Sequence, residues 1–202
     1  MGMRGVDLLL QLYGLLLGLS IAELLSGLAR SWRIRTGATH TGKAQIRIGY
    51  LVPLLGLLVL ADQTHFWLSA YALHGFVTSN YATLLAMVAV IGGYYILSTF
   101  VFPDDPADWP DFDDYYLRTN RMVIAGMFAI NSATIAYALL MMTRGFDLKA
   151  TPFASSRVAM GAAFAFMPGL VLLWFVKSKR ANLILLLVMN GLLLLGAIGP
   201  IL

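Results

Sequence analysis

The chain has 202 residues, 59% hydrophobic and only 12% charged, with a formal net charge of +4 and no cysteine. So little charge cannot cover a water-soluble domain of this size, and apolar runs recurring from end to end define an all-α, polytopic membrane protein in one transmembrane domain. The missing thiols exclude disulfides, thiol nucleophiles, iron–sulfur clusters and cysteine-ligated zinc, and nothing in the composition points to nucleic acid.

The first apolar stretch, Val6–Ala29, has 24 residues. As a helix it is about 36 Å long at ~1.5 Å per residue, enough to cross a bilayer core of roughly 30 Å. It is too long for a signal peptide and no small-residue cleavage site follows it, so it is expected to stay in the protein. Glu23 lies about two turns inside the basic boundary at Arg30. Gly14, Gly18, Ala22 and Ser26 recur at every fourth position, line one face and allow close approach of another helix. This stretch is expected to organise the rest of the chain.

A basic loop follows, with Arg30, Arg33, Arg35, Lys43 and Arg47. The second span is expected at 46–73. Its purely apolar part, 46–61, is only 16 residues, and extension to Leu73 makes 28, placing Asp62, Gln63 and His65 towards its far end. The third span is expected at 81–102. A loop with six aspartates and three prolines comes next and cannot be helical until about Asp111. The remaining spans are expected at 122–142, 158–176 and 183–202.

Six spans divide the basic residues unevenly. The loops after the first, third and fifth spans hold ten: Arg30, Arg33, Arg35, Lys43, Arg47, Arg118, Arg121, Lys177, Lys179 and Arg180. The other side holds four, Arg4, Arg144, Lys149 and Arg157. The positive-inside rule then predicts both termini outside. Trp32, Trp109 and Trp174 agree at the cytoplasmic boundary, with Trp67 near the outer one.

The stretch STFVFPDDPADWPDFDDYYLRTNR joins a Phe-Pro span end, an acidic loop, the pair Tyr115-Tyr116 and basic residues entering the next span. With LLSGLAR closing the first helix and a Gln and Trp near the outer end of the second, it resembles a family of small polytopic bacterial inner-membrane proteins. The resemblance implies a bacterial inner membrane and this fold, and carries no activity.

Glu23 is the foremost candidate site. A carboxylate in hydrocarbon must face the bundle interior and be protonated, paired or solvated. One reading is a proton relay or cation site. The other, which we favour, is a structural carboxyl bonded to a neighbouring helix or to Arg30, with Asn131 and Asn190 as further mid-membrane partners. A second candidate is an outer-side polar group: Asp7 and Gln11 on the first helix with Asp62, Gln63 and His65 on the second. Asp62 and His65 at i,i+3 share a face, a spacing compatible with a metal pair or a carboxylate-tuned histidine. A metal needs three or four ligands and no third strong one is evident, so these residues are expected at a helix end, wetted by water and lipid headgroups.

The loop Gly37–Ala44, GATHTGKA, nearly matches a phosphate-binding loop, but Ala44 replaces the magnesium-binding hydroxyl and no strand precedes it. It reads as a basic turn meeting headgroups or the acidic loop. That acidic loop lacks calcium-ligand spacing. Its aspartates are expected to cap the fourth helix, with Asp114 and Arg118 paired at i,i+4 and Tyr115 and Tyr116 at headgroup level. Histidine placement does not suit haem, no catalytic motif is present, and neither a cofactor nor a metal is expected. Two functions remain: an accessory subunit packed beside other membrane chains, or a small homodimeric transporter or channel using Glu23. The subunit is favoured, with seams at Gly14/Gly18 and Gly92/Gly93. Against a carrier, no internal repeat is evident; for one, Pro53 and Pro168 interrupt spans.

Overall fold

The computed structural model describes residues 2–38, 46–77, 80–147 and 156–198, with the backbone alone at 2–9, 72, 74 and 198. Six α-helices run through it: α1 Gly2–Arg35, α2 Leu51–Ala72, α3 Tyr81–Val101, α4 Phe112–Met142, α5 Arg157–Phe175 and α6 Lys179–Ile198. All six are long and apolar enough to cross a membrane, so the chain is an all-α, multi-pass membrane protein. Most of the loop 37–44, and the tips of the loops after α2 and α4, lie outside the described residues.

Local chemistry sets the helix ends. After α1, Gly37 takes φ 70°, and the Ala38 and Gly37 amides bond back to the Arg33 and Ile34 carbonyls at 2.9 and 3.1 Å. This reversal favours glycine because it lies in the left-handed region. Helix α2 begins at Leu51, later than the expected Ile46. The residues before it are extended, and Arg47 pairs with the acidic loop: its amide donates to the Pro110 carbonyl at 2.8 Å, and its carbonyl accepts from the Phe112 amide at 3.1 Å. The Asp113 carboxylate then accepts from the Leu51 amide at 3.3 Å, capping α2 across the loop. Pro53 falls in the first turn of α2, where its missing N–H costs nothing, so it does not interrupt the helix. Pro168 does lie inside α5.

Helix α4 begins at Phe112, where the acidic loop is expected to permit helix and ten residues before the expected span at Met122, and Asp111 caps it by accepting from the Asp113 amide at 2.8 Å. The expected Asp114–Arg118 pair is absent from the described contacts. Asp114 instead meets Lys179 at 2.6 Å, and Arg118 lies over the Trp109 ring, 5.7 Å from its centroid. The two tyrosines turn inward and are buried against protein rather than facing headgroups. Tyr115 is buried and donates to the Phe100 and Phe102 carbonyls at 2.9 and 3.2 Å; Tyr116, fully buried, donates to Asn182 Oδ1 at 2.8 Å. Each hydroxyl satisfies itself inside the protein, so the pair pins α4 to the end of α3 and the start of α6.

The centre of the bundle is α2, not α1. Half of the α2 apolar window is buried, against 28% for α1. It packs against α1, α3, α4 and α6, with Leu55, Leu58 and Val59 fully buried. A helix apolar on every side is suited to the middle of a bundle, whereas α1 keeps an outward face. Phe102, from the Phe-Pro segment closing α3, wedges against Gly27 of α1 and lies 2.7 Å from where a Cβ on Gly56 of α2 would sit. Small residues on two helices admit one aromatic plug. Helix α6 buries Leu186, Met189 and Leu193 against its neighbours α2 and α5.

Candidate functional site

Because α2 starts at Leu51, Asp62 sits midway along it rather than at its outer end. Asp62, Gln63 and His65 are 3%, 0% and 5% exposed, so the expected wet helix end is instead buried protein interior. Successive residues of a helix turn by about 100°, and these three side chains accordingly address different neighbours.

Asp62 faces α3 and α4. Its Oδ2 accepts from the Tyr94 hydroxyl at 2.9 Å, and the Asn131 amide nitrogen reaches Oδ2 and Oδ1 at 3.1 and 3.2 Å. The same nitrogen donates to the Met127 carbonyl at 3.0 Å, which fixes the amide plane. Gln63 faces α1, its amide nitrogen 2.7 Å from Ser20 Oγ. His65 Nδ1 lies 3.1 Å from the Ala61 carbonyl, and a Cβ on Gly196 of α6 would sit 3.5 Å from Nε2. Tyr94 continues inward through Phe66, at 5.2 Å between ring centroids, to Tyr13, at 5.8 Å from Phe66. The buried Tyr13 hydroxyl and Gln63 Oε1 have no hydrogen-bond partner among the described residues.

The other expected site residues do not converge there. Glu23 is only half-buried and makes no side-chain hydrogen bond or ion pair among the described residues. Arg30 does not reach back to it but donates to the Asp104 carbonyl at 2.9 Å. Asn131 serves Asp62, and Asn190 donates to the Leu54 and Leu186 carbonyls at 3.1 and 2.8 Å, tying α6 to α2. Gln11 is exposed, and the Asp7 side chain lies outside the described residues. The packing row also divides. Gly18, Ala22 and Ser26 are exposed and a Cβ on Gly14, Gly18 or Gly92 would meet nothing within 4 Å, whereas one on Gly93 would lie 3.3 Å from Ile130 Cδ1.

A cavity of about 260 Å³ adjoins the Asp62 group between α2, α4, α5 and α6. Five of its nineteen lining residues are polar, Asp62, His65, Ser69, Asn131 and Thr134, and all five come from α2 or α4. Ser69 and Thr134 spend their hydroxyl protons on the His65 and Ile130 carbonyls, so what the polar end presents is chiefly acceptor oxygen. The far walls are Ala, Met, Phe and Leu. Among the described residues no three His, Cys, Asp or Glu side chains gather as metal ligands. The arrangement thus offers a single carboxylate, held in place by two neutral donors, to whatever enters an otherwise apolar chamber.

From the sequence Tyr94, beside Gly93, reads as part of an outward docking face of the third helix, but it is fully buried; a tyrosine in mid-membrane needs a hydrogen-bond partner, and Asp62 supplies it. Comparison with known proteins adds no further assignment: no protein-family model, curated protein or solved structure matches the chain.

Proposed function

We propose that this chain is a non-enzymatic accessory subunit of a larger assembly in a bacterial inner membrane, with both termini outside the cytoplasm. The observation that supports it is the outward α1 face, where Gly18, Ala22 and Ser26 are exposed at i,i+4 spacing. A lipid-facing helix has no need of small residues, whereas a helix docking against another chain does, because they let the two backbones approach and gain dispersion contacts. Leu15 and Leu19 beside the row are 66% and 53% exposed and would flank such a seam. On the neighbouring α3, Gly92 also has open space around it, while Gly93 is spent within the chain. The partner is an unlike membrane chain; a second copy of this one is the competing occupant.

Gly18→Leu tests the reading, because open space surrounds that position and the variant should fold as the parent does. Extracted with its native lipid, the parent should migrate in a large assembly containing unlike chains and the variant should leave it. Migration of the parent alone, or as a homodimer, refutes the subunit reading. The transporter alternative built on Glu23 is the weaker one, since that carboxyl gathers no partner among the described residues; a transport centre in this protein belongs at Asp62.

A further inference from the structure

The Asp62 cavity has a property that docking along α1 does not use. Asp62 is buried and accepts three contacts, all from the neutral groups of Tyr94 and Asn131, and no basic side chain pairs with it among the described residues. Buried carboxylates are normally matched by a cation, because an unmatched charge in apolar surroundings is costly. Here the space beside it is a cavity, not a lysine or arginine.

We propose that this cavity binds a lipophilic organic cation, with its ammonium group on Asp62 and its hydrocarbon body against the apolar walls of α5 and α6. Three features carry the assignment. The polar end is acceptor-rich and includes one acid, which suits a group that is positive and donates hydrogen bonds. Fourteen of the nineteen lining residues are apolar or glycine, so a hydrated inorganic ion would lose its water without gaining ligands, whereas a hydrocarbon body is favoured there. Phe166, 6% exposed, adds an aromatic wall able to attract a cation. Size sets the ligand class: a chamber of about 150 Å³ holds benzene, so the 260 Å³ here takes a ligand of about ten heavy atoms on the same scale.

An entry route is present as well. The lining residues Leu139 of α4 and Phe164 of α5 are 56% and 75% exposed, so the chamber reaches the outer surface between these two helices, at a depth where the surroundings are lipid. An amine dissolved in the bilayer would enter sideways, body first, without crossing water.

The probe is 4-phenylbutylamine, an ammonium on a hydrocarbon of this size, with 4-phenylbutanol as its neutral match. Labelled amine should bind the full-length protein in phosphatidylcholine nanodiscs saturably and at one per chain, above the background of empty discs. The alcohol should compete at least roughly tenfold less well, the low end of the value of a charged hydrogen bond. Asp62→Asn should lower amine affinity by roughly tenfold to a hundredfold and abolish the preference over alcohol. Ala163→Phe fills the chamber from the α5 side without touching the carboxylate, and should also abolish amine binding. Should the Asn variant fail to accumulate, Ala163→Phe decides alone. Absence of saturable amine binding overturns the assignment, as does equal competition by the alcohol or amine binding unchanged by Ala163→Phe. The test is independent of the subunit reading, because Gly18→Leu should leave amine binding intact.

Discussion

Replacing Tyr94 by Phe removes a single oxygen from a buried polar contact between α2 and α3. Tyr94 is 0% and Asp62 3% exposed, and the hydroxyl lies 2.9 Å from Oδ2. In a soluble protein a hydrogen bond to a charged group is worth about 1.5–3 kcal/mol. Interhelical hydrogen bonds in membranes average only about 0.6 kcal/mol, with a maximum near 1.7, because helices separated in lipid also find partners. After the change Asp62 keeps only the Asn131 amide as a protein donor. The expected cost is therefore near the upper membrane value, about 1.5 kcal/mol. The ring stays, so its packing on Phe66 at 5.2 Å is preserved. Tyr94→Ala would add cavity formation and should cost about 3–5 kcal/mol. Reversible unfolding in mixed detergent micelles, followed by circular dichroism, measures both. A cycle with Asp62→Leu isolates the pair, since that change alone strands two buried donors and should be worse than the double variant predicts by addition. A Tyr94→Phe cost below about 0.3 kcal/mol, or strict additivity in the cycle, would refute the claim that the tyrosine holds the carboxylate.

Other variants follow from the same contacts. Glu23→Gln should change stability by less than about 0.5 kcal/mol, the range for positions without a specific partner, whereas Asp62→Asn should cost more; the reverse order in the same unfolding assay would return Glu23 to the centre of the site. Gly27→Ala drives a Cβ into the Phe102 ring and should cost about 1–3 kcal/mol by overpacking, while Phe102→Ala should cost about 3–5 kcal/mol by leaving the wedge empty; equal thermal stability of parent and Gly27→Ala would contradict the packing. For orientation, the cysteine-free chain permits clean labelling. Both Ala107 and Thr143 are exposed, and a membrane-impermeant thiol reagent on spheroplasts should label Thr143→Cys and spare Ala107→Cys until the membrane is opened. The opposite pattern reverses the topology.

The six helices were legible because each contains an apolar run long enough for a bilayer, a signal that needs no knowledge of packing. Helix ends were less so, and the consequence was large. Reading α2 from Ile46 makes Asp62 a distal residue; starting it at Leu51 makes the same residue central. The cue was present in Gly49 and Pro53, since glycine disfavours a helix interior and proline is favoured just inside a helix start. Hydropathy overruled them because Ile46 and Ile48 are apolar, although they belong to the segment that pairs with the acidic loop. The prominence of Glu23 had a similar origin. Its depth could be counted along α1, but which face of α1 meets the bundle depends on where α3 lies, and tertiary placement is not written in one helix. The Tyr115-Tyr116 pair misled for the opposite reason: tyrosines near a boundary usually face headgroups, and only the positions of the Phe100 carbonyl and Asn182 reveal the inward partners.

Helix α2 separates the two proposed activities physically. Gln63 turns to α1 and Ser20, the helix that carries the outward small-residue face; Asp62 turns to α3 and α4; His65 turns toward α6 and the cavity. Helix α1 packs on α2 and α3, while the chamber lies between α2, α4, α5 and α6. A chain docked along α1 would therefore leave the α4–α5 opening facing lipid. An accessory subunit arranged in this way can keep a ligand site accessible from the bilayer while it is held in an assembly, and Ser20–Gln63 is a direct side-chain hydrogen bond between α1 and the helix that carries Asp62. Ser20→Ala should weaken that link by about 0.6 kcal/mol, the mean for such contacts in membranes. It should leave both assembly and amine binding in place, because neither face is built from Ser20. Loss of either in that variant would mean that the two halves of the bundle communicate through α2.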